Sequence, residues 1–485
     1  MMKTKFIREL KEPYDLLVKI INSEEIDELN NLVVKKAIDH DCWSVKSPNP
    51  LYIASERLVL VGIGDDTYNV HKTAKKLFEF IENKTFKRIA IDMLCHEDIV
   101  NDFIKALSIL SYTFEKYKTA GIHDSCEYSI IVLNPSSVKL GFEDTSDVIE
   151  AIYTAKNLSN EPSNSLTTRT FVSYIKEMEN DSLHVEVFDK EFLVSIGANL
   201  IASVGLGSVN PPCMAVMTYK GNANSDIYDI AFVGKGICFD SGGLCIKSSN
   251  GMREMKHDMS GASVLVGVMG YLAKRKYGIN VVCVLGIAEN IPSASSYRPG
   301  DIIRSYSGNN VEIIDTDAEG RLVLADCISY VKKSFLPNVI IDIATLTGSV
   351  RGALGSTYAG LFSNTSDLLE ILKRCGKESG DLLWELPLGE EYSSYNNSRW
   401  ADISNVGNRN GSVIKECGAS SAAEFIRYFV KETPWAHIDI GGTAYDHKGA
   451  TGFGVGLLTA YLDYLSQLKQ NNKTKNRKED VDNID

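Results

Sequence analysis

Two hydrophobic periods alternate along most of the chain. Short apolar runs rich in β-branched residues are separated by stretches whose apolar positions recur every three or four residues. In the first third, Leu58-Val59-Leu60-Val61-Gly62-Ile63, Arg88-Ile89-Ala90-Ile91 and Ser129-Ile130-Ile131-Val132 read as strands, and 71–82 and 99–117 as helices. From Thr145 a helical pattern passes through Ile149, Ile152 and Ala155 and stops near Asn160-Glu161-Pro162-Ser163-Asn164, where proline blocks continuation. Beyond it, strand-like runs at 185–187, 214–218, 230–233, 281–285, 311–314, 339–343 and 437–440 are interleaved with helix-like runs, notably 263–274, 367–373 and 457–468.

Apolar strands between amphipathic helices predict an α/β protein with a mostly parallel central sheet flanked by helices. The expected organisation is a smaller N-terminal α/β domain (1–145), a connecting helix and linker (146–164), a larger C-terminal catalytic domain (165–468) and a polar, frayed tail (469–485). Ligand sites in such sheets gather at the carboxyl ends of the strands.

Composition narrows the functional class. With 44% hydrophobic and 24% charged residues, the balance is that of a soluble globular protein. A formal charge of −12 disfavours general affinity for nucleic acid. The N-terminus, Met1-Met2-Lys3-Thr4-Lys5-Phe6, lacks the apolar core of a signal peptide, and no run is long enough to span a bilayer, so a cytoplasmic location is expected. The 10 cysteines are scattered without a C-x-x-C pair, which fits free thiols in a reducing compartment better than a disulfide framework.

Three stretches concentrate chemistry. Asp315-Thr316-Asp317-Ala318-Glu319-Gly320-Arg321-Leu322 follows the run at 311–314, and in an extended segment Asp317 and Glu319 point the same way. Two carboxylates aimed at one spot require a cation or a proton between them; the plain alternative is a solvated polar turn. Gly234-Lys235-Gly236-Ile237-Cys238-Phe239-Asp240-Ser241-Gly242-Gly243 reads as a glycine-rich loop, with Lys247 close behind, and it does not match a phosphate-binding P-loop. Lys256-His257-Asp258-Met259 places Asp258 at the expected start of a helix, where it could equally serve as an N-cap.

These three stretches resemble, in order, the signature segments of the leucine aminopeptidase (cytosol aminopeptidase) family. Further agreement comes from Asn160-Glu161-Pro162-Ser163-Asn164, Ala288-Glu289-Asn290-Ile291-Pro292-Ser293, Tyr297-Arg298-Pro299-Gly300-Asp301 and Ala344-Thr345-Leu346-Thr347-Gly348, so the likeness spans about 150–465. The resemblance implies a leucyl aminopeptidase, a metallo-exopeptidase that prefers leucine and other apolar N-terminal residues. It implies two divalent metal ions per subunit, held by Lys235, Asp240, Asp258, Asp317 and Glu319. Four carboxylates balance two dications, and oxygen-rich ligation suits Mn²⁺ or Zn²⁺, with Mg²⁺ also acceptable. As a ligand, Lys235 would have to be a neutral amine.

The same resemblance makes Lys247 the oxyanion-stabilising cation and Arg321 the holder of a bicarbonate base. It maps the pocket for the first side chain onto Met255, Thr345, Gly348, Gly441 and Ala444. A solvated lysine, core packing for Met255 and turns for the two glycines are the plainer readings. Also implied are peptides with a free N-terminus as substrates and a homohexameric assembly. The chain departs from the family pattern in three places: Asp315 replaces asparagine, Gly452-Phe453-Gly454 replaces G-R-P, and Ser260-Gly261-Ala262 replaces G-G-A. The rival readings are a non-catalytic or moonlighting nucleic-acid-binding regulator on the same fold and a two-metal phosphatase.

Overall fold

The computed structural model describes residues 3–7, 13–21, 31–47, 49–62, 67–82, 84, 86, 88–93, 97–119, 129–133, 138–409, 412–413 and 417–482. The chain forms two compact units, Met1–Tyr153 and Thr154–Asp485. Both are α/β.

In the smaller unit six strands lie side by side: β1 (Lys3–Ile7), β2 (Leu16–Ile21), β3 (Leu51–Ile53), β4 (Leu58–Gly62), β5 (Arg88–Met93) and β6 (Ser129–Leu133), in the order β1-β6-β5-β2-β4-β3. All pairings are parallel except β3 with β4. Helices Thr67–Glu82 and Glu97–Leu110 cover it, and Val59, Val61, Leu77, Ile91, Phe103 and Ile104 share its core.

The larger unit is built on eight strands: β7 (Leu183–Phe188), β8 (Cys213–Lys220), β9 (Ile230–Asp240), β10 (Asn280–Asn290), β11 (Ile340–Ala344), β12 (Ala359–Ser363), β13 (Leu383–Glu385) and β14 (Trp435–Asp439). Their order is β13-β12-β14-β11-β9-β10-β8-β7. The central four, β10-β9-β11-β14, run parallel, so their carboxyl ends share one edge. Strand β10 is buried throughout and β9 nearly so, which explains why both read as continuous apolar runs rather than alternating ones. The helix Ser260–Ala273 packs between β9 and the helix Val455–Asp482, and it is apolar and buried on almost every side. On the other face, Gly320–Phe335 lies against β9 and β10.

Several expectations change. The apolar run at 311–314 contributes only Asn310–Glu312, in a three-stranded side sheet with Ile302–Arg304 and Ile403–Ser404. The ladder stops there because the Asn405 side chain accepts the backbone N–H groups of Ile314 and Asp315 (2.7 and 3.3 Å). The supposed glycine-rich loop is strand as far as Asp240. The helix expected over 99–117 ends at Leu110, where the Tyr153 hydroxyl donates to the Ser108 carbonyl (2.5 Å) and takes one of the last-turn acceptors. The helix expected from Thr145 begins earlier, at Val138.

The polar tail is helical to Asp482, continuing Val455–Asp482, and residues 483–485 lie outside the described residues. So do Ile63, Met1, Met2, Cys95 and Cys126. The eight described cysteines are all free thiols. Among the described residues, no helix is long and apolar enough to cross a membrane.

Candidate metal centre

Every chemically singled-out segment ends at the shared carboxyl edge. Strand β9 carries Lys235 and Asp240. Five residues apart on a regular strand, their side chains would point to opposite faces. A β-bulge removes the conflict: Ile237 pairs with Ala288 but Phe239 pairs with Glu289, leaving Cys238 as the extra residue. One inserted residue turns an odd separation into an even one, so Lys235 and Asp240 converge.

Asp258 follows a single 3₁₀ turn, Met255–His257, and precedes the helix Ser260–Ala273, whose N-cap position is Met259. Asp258 is therefore not that helix's cap. Its Oδ1 accepts from the Thr345 hydroxyl (2.7 Å) just past β11. Asp317 and Glu319 do not sit on a strand. Asp315 Oδ1 accepts the N–H of Asp317 (2.8 Å), and Asn405 Nδ2 donates to the Asp315 carbonyl (2.6 Å), so the segment is a turn. That turn ends at Glu319, directly before the helix Gly320–Phe335. Asp315 thus serves as turn scaffold, with a side-chain oxygen committed to the backbone.

The five expected ligand residues come together. Asp240, Asp317 and Glu319 each offer one oxygen, all within 4.8 Å of one another. Lys235 Nζ bridges Asp258 Oδ2 and Glu319 Oε1, both at 2.8 Å, and donates to the Thr345 carbonyl at 2.9 Å. Gly320 makes room for it, because a Cβ there would lie 2.7 Å from Nζ. Lys247 Nζ reaches Asp240 Oδ2 at 2.7 Å and Asp317 Oδ1 at 2.5 Å. Arg321 is buried, donates to the Asn405 carbonyl (2.7 Å) and leaves its Nε without a partner.

The donor set fits divalent cations. Four carboxylates are packed with two lysines, and Glu319 Oε2 is buried with no hydrogen-bond partner. Asp258 Oδ2 and Asp317 Oδ1 lie within ion-pairing reach of the lysines but outside hydrogen-bonding geometry. A buried acceptor left unpaired is costly, and a cation bound by several oxygens removes that cost.

The electrostatics agree. Burial, then repulsion from Asp240 and Glu319, pushes the Asp317 carboxyl up to about 7. Burial likewise raises Asp258 well above the usual range, and raises Asp240 with Glu319 adding to it. Burial also works to raise Glu319, but the Lys235 and Lys247 ammonium groups overcome it and hold it low. Lys235 runs against the neutral amine expected of it: burial lowers its pKa, yet Asp258, Glu319 and Asp240 more than reverse the effect and keep it an ammonium. Two dications on the same oxygens would reverse the sign of that field. Burial brings the Arg321 guanidinium down to about 10.

The expected pocket residues fall on three linked loops. Met255 opens the 3₁₀ turn before Asp258. Thr345 is tied to Asp258 and Lys235, and Gly348 begins the helix Gly348–Leu354. Gly441 and Ala444 follow β14, where buried Asp439 accepts the N–H groups of Leu346, Thr347 and Gly441 and the Thr347 hydroxyl. That carboxylate holds the pocket loops together, and the sequence reading missed it. Also missed were Asn290, whose Nδ2 donates to Asp240 Oδ1 (2.8 Å) and the Thr316 carbonyl (2.9 Å), Tyr297, which donates to the same carbonyl (2.8 Å), and Asn405. Asn290 and Tyr297 lie inside motifs already noticed; nothing near Asn405 marks it.

Comparison with known proteins places this site inside a recognised catalytic domain. Residues 153–459 match the cytosol aminopeptidase family, catalytic domain. A probable cytosol aminopeptidase of Nitrobacter winogradskyi is 38% identical over 452 residues, covering 88% of this chain and 89% of the relative. One from Rhizobium leguminosarum bv. trifolii is 37% identical over 452 residues (88% and 90%), and one from Brucella ovis is 39% identical over 423 residues (83% and 84%).

Proposed function

The chain belongs to the cytosol aminopeptidase family, and on that footing we propose that it is a metal-dependent aminopeptidase hydrolysing the N-terminal peptide bond of peptides, preferring leucine and other apolar first residues. The observation that carries this is the convergence of Asp240, Asp317 and Glu319 within 4.8 Å at the carboxyl edge of a parallel sheet, with Asp258 and Lys235 joined to them.

In this reading Lys235, Asp240, Asp258, Asp317 and Glu319 hold two divalent ions, Mn²⁺ or Zn²⁺ with Mg²⁺ as a further candidate. When bound, such ions polarise a carbonyl and make a water acidic enough to attack near neutral pH. The remaining work falls to the chain. Asn290 and the Gly242 N–H fix the Asp240 carboxylate through 2.8 Å bonds, so one ligand is oriented before any ion arrives. Lys247 stays an ammonium, because the surrounding carboxylates outweigh its burial. At the rim of the cluster it is the cation available to the developing oxyanion.

Arg321, buried with an unpartnered Nε–H beside the carboxylates, would hold a small anion such as bicarbonate, whose contribution there would be that of a general base. Among the described residues, no histidine stands free at the cluster to act as a base. His257 is stacked on Tyr445, and burial lowers its pKa to about 4. Met255, Thr345, Gly348, Gly441 and Ala444 would surround the first side chain, and the carboxylate cluster beside them would favour the positively charged free N-terminus of a peptide. We also assign the protein a cytoplasmic location and a homohexameric state.

The test is hydrolysis of leucyl-p-nitroanilide by the purified chain with added Mn²⁺, in parallel with a phosphate ester. Release of p-nitroaniline that stops with chelator and returns with metal supports the reading. Turnover of the phosphate ester alone would replace it.

A further inference from the structure

We propose that His257, Tyr445 and Asn160 are positioning residues that hold the two walls of the first-residue pocket at a fixed spacing, and so decide how large an N-terminal side chain is accepted. The proposal rests on the aminopeptidase reading above.

One wall is the turn Glu254-Met255-Lys256-His257; the other is Ala444 with the hairpin that starts beside it, Tyr445–Asp446 paired to Gly449–Ala450. No strand ladder connects them, so side chains must. The His257 and Tyr445 rings stack with centroids 4.7 Å apart and planes 18° from parallel. Burial and then the Glu254 carboxylate, at the start of the same turn, raise the pKa of the Tyr445 hydroxyl, so the two groups face each other.

A second tie lies at Asn160, in the Asn160-Glu161-Pro162-Ser163-Asn164 motif that the catalytic roles leave unexplained. Its Oδ1 accepts the Ala450 N–H (2.9 Å), and its backbone carbonyl accepts Lys256 Nζ (3.0 Å). The fit at this point is tight: Gly449 has φ +114°, and a Cβ there would stand 2.6 Å from Asn160 Oδ1. Within the hairpin wall, the Thr451 N–H bonds the Ala444 carbonyl (3.0 Å) and its hydroxyl the Thr443 carbonyl (2.7 Å), so a shift of Tyr445 carries Ala444 with it.

The ring pair stands behind the pocket rather than in it. Successive side chains in a 3₁₀ turn are about 120° apart, so Met255 and His257 do not share a direction. Neighbours at the start of a strand face opposite ways, which separates Ala444 from Tyr445. The stack therefore acts on substrate through Met255 and Ala444.

The experiment compares kcat and KM for leucyl, phenylalanyl and tryptophanyl amides in the Mn²⁺-loaded wild type, His257→Ala, Tyr445→Leu and the ring-restoring His257→Phe. Bound metal, thermal midpoint and the affinities of free leucine and tryptophan are measured alongside. In both stack-breaking variants the leucyl-to-tryptophanyl ratio of kcat/KM is expected to fall about tenfold, through KM, the scale at which apolar pockets discriminate. Free tryptophan should bind correspondingly tighter, bound metal should be unchanged, and His257→Phe should restore the wild-type ratio. An unchanged ratio in both variants, or a uniform loss of kcat that His257→Phe does not repair, overturns the proposal while leaving the aminopeptidase reading intact. A wild type inactive on all three amides sinks that reading, and this one with it.

Discussion

Replacing Glu319 by glutamine separates what the centre does for folding from what it does for metal. Glu319 and Lys235 are 1% and 3% exposed, and their charges meet at 2.8 Å. At an effective dielectric of about 20 this attraction is ~6 kcal/mol before the cost of desolvation. Breaking one side of a buried pair typically costs about 3–5 kcal/mol, and here the low end applies because Lys235 keeps Asp258 at 2.8 Å. Chelator-treated Glu319→Gln should therefore unfold about 3 kcal/mol more easily, a fall in Tm of roughly 4 °C for a unit of this size. Because Glu319 is held below its ordinary pKa, its contribution is present above the unfolded value and lost as the solution is acidified through the folded one. The gap between variant and wild type should narrow at low pH.

Metal then provides the second reading. Wild type with free Mn²⁺ near 1,000 times its Kd should gain about 4 kcal/mol over the chelated form. The glutamine variant lacks a charged ligand and should gain far less at the same concentration. The assay is differential scanning calorimetry with chelator and with Mn²⁺ at two pH values. An equal metal-induced rise in Tm for both proteins would show that Glu319 is not a ligand.

Other outcomes follow from the same geometry. Lys247→Ala should lower kcat about 10²–10³-fold with little change in KM, the size of a lost oxyanion contact; a change confined to KM would make it a substrate-binding residue. Glutamyl amides should be poor substrates beside leucyl amides, since Met255, Gly441 and Ala444 offer no cation, and comparable kcat/KM would refute an apolar pocket. Light scattering should report a hexamer, and an active monomer of 53.5 kDa would contradict it. On the strands behind the site, His437 and Asp342 are fully buried and bonded at 2.5 Å, with the Trp435 indole donating to the other Asp342 oxygen and Asp439 and Arg321 nearby. Burial lowers the His437 pKa, but Asp342 more than compensates, so its stabilisation is full below about pH 6.5 and lost as pH rises through the folded value. In Asp342→Asn burial should win and the slope reverse, with stability falling below that pH; parallel slopes in urea titrations would refute this.

The ligand-bearing segments were legible because each chemical residue sits in a local run of distinctive neighbours. Their arrangement was less so. Asp317 and Glu319 were expected to align by strand alternation, yet they converge through a turn whose shape depends on Asn405, about 90 positions away. A single polar residue making four backbone contacts leaves no periodic trace. Asp315, which stands where the family pattern has asparagine, caps the turn by accepting the Asp317 N–H.

Strand β9 shows most clearly why a site can be legible when its geometry is not. Glycines at 234 and 236 suggested a loop, because glycine is rare inside strands without a reason. Here the reason is close approach on the one face they share: a Cβ at 234 would meet Leu285 and Leu265, and one at 236 the Gly286 carbonyl. The same segment carries the Cys238 bulge, which no period reveals, since inserting one residue shifts every later side chain to the other face. Without it, Lys235 and Asp240 would point to opposite sides of the sheet and no spacing rule would join them. The bulge in turn needs a fixed partner, and the Cys238 carbonyl accepts the Ser163 hydroxyl (2.9 Å) from the segment that begins at Asn160. That segment thus contacts the centre from two directions, holding the strand that aims two ligands and, through Asn160, the loops at the pocket.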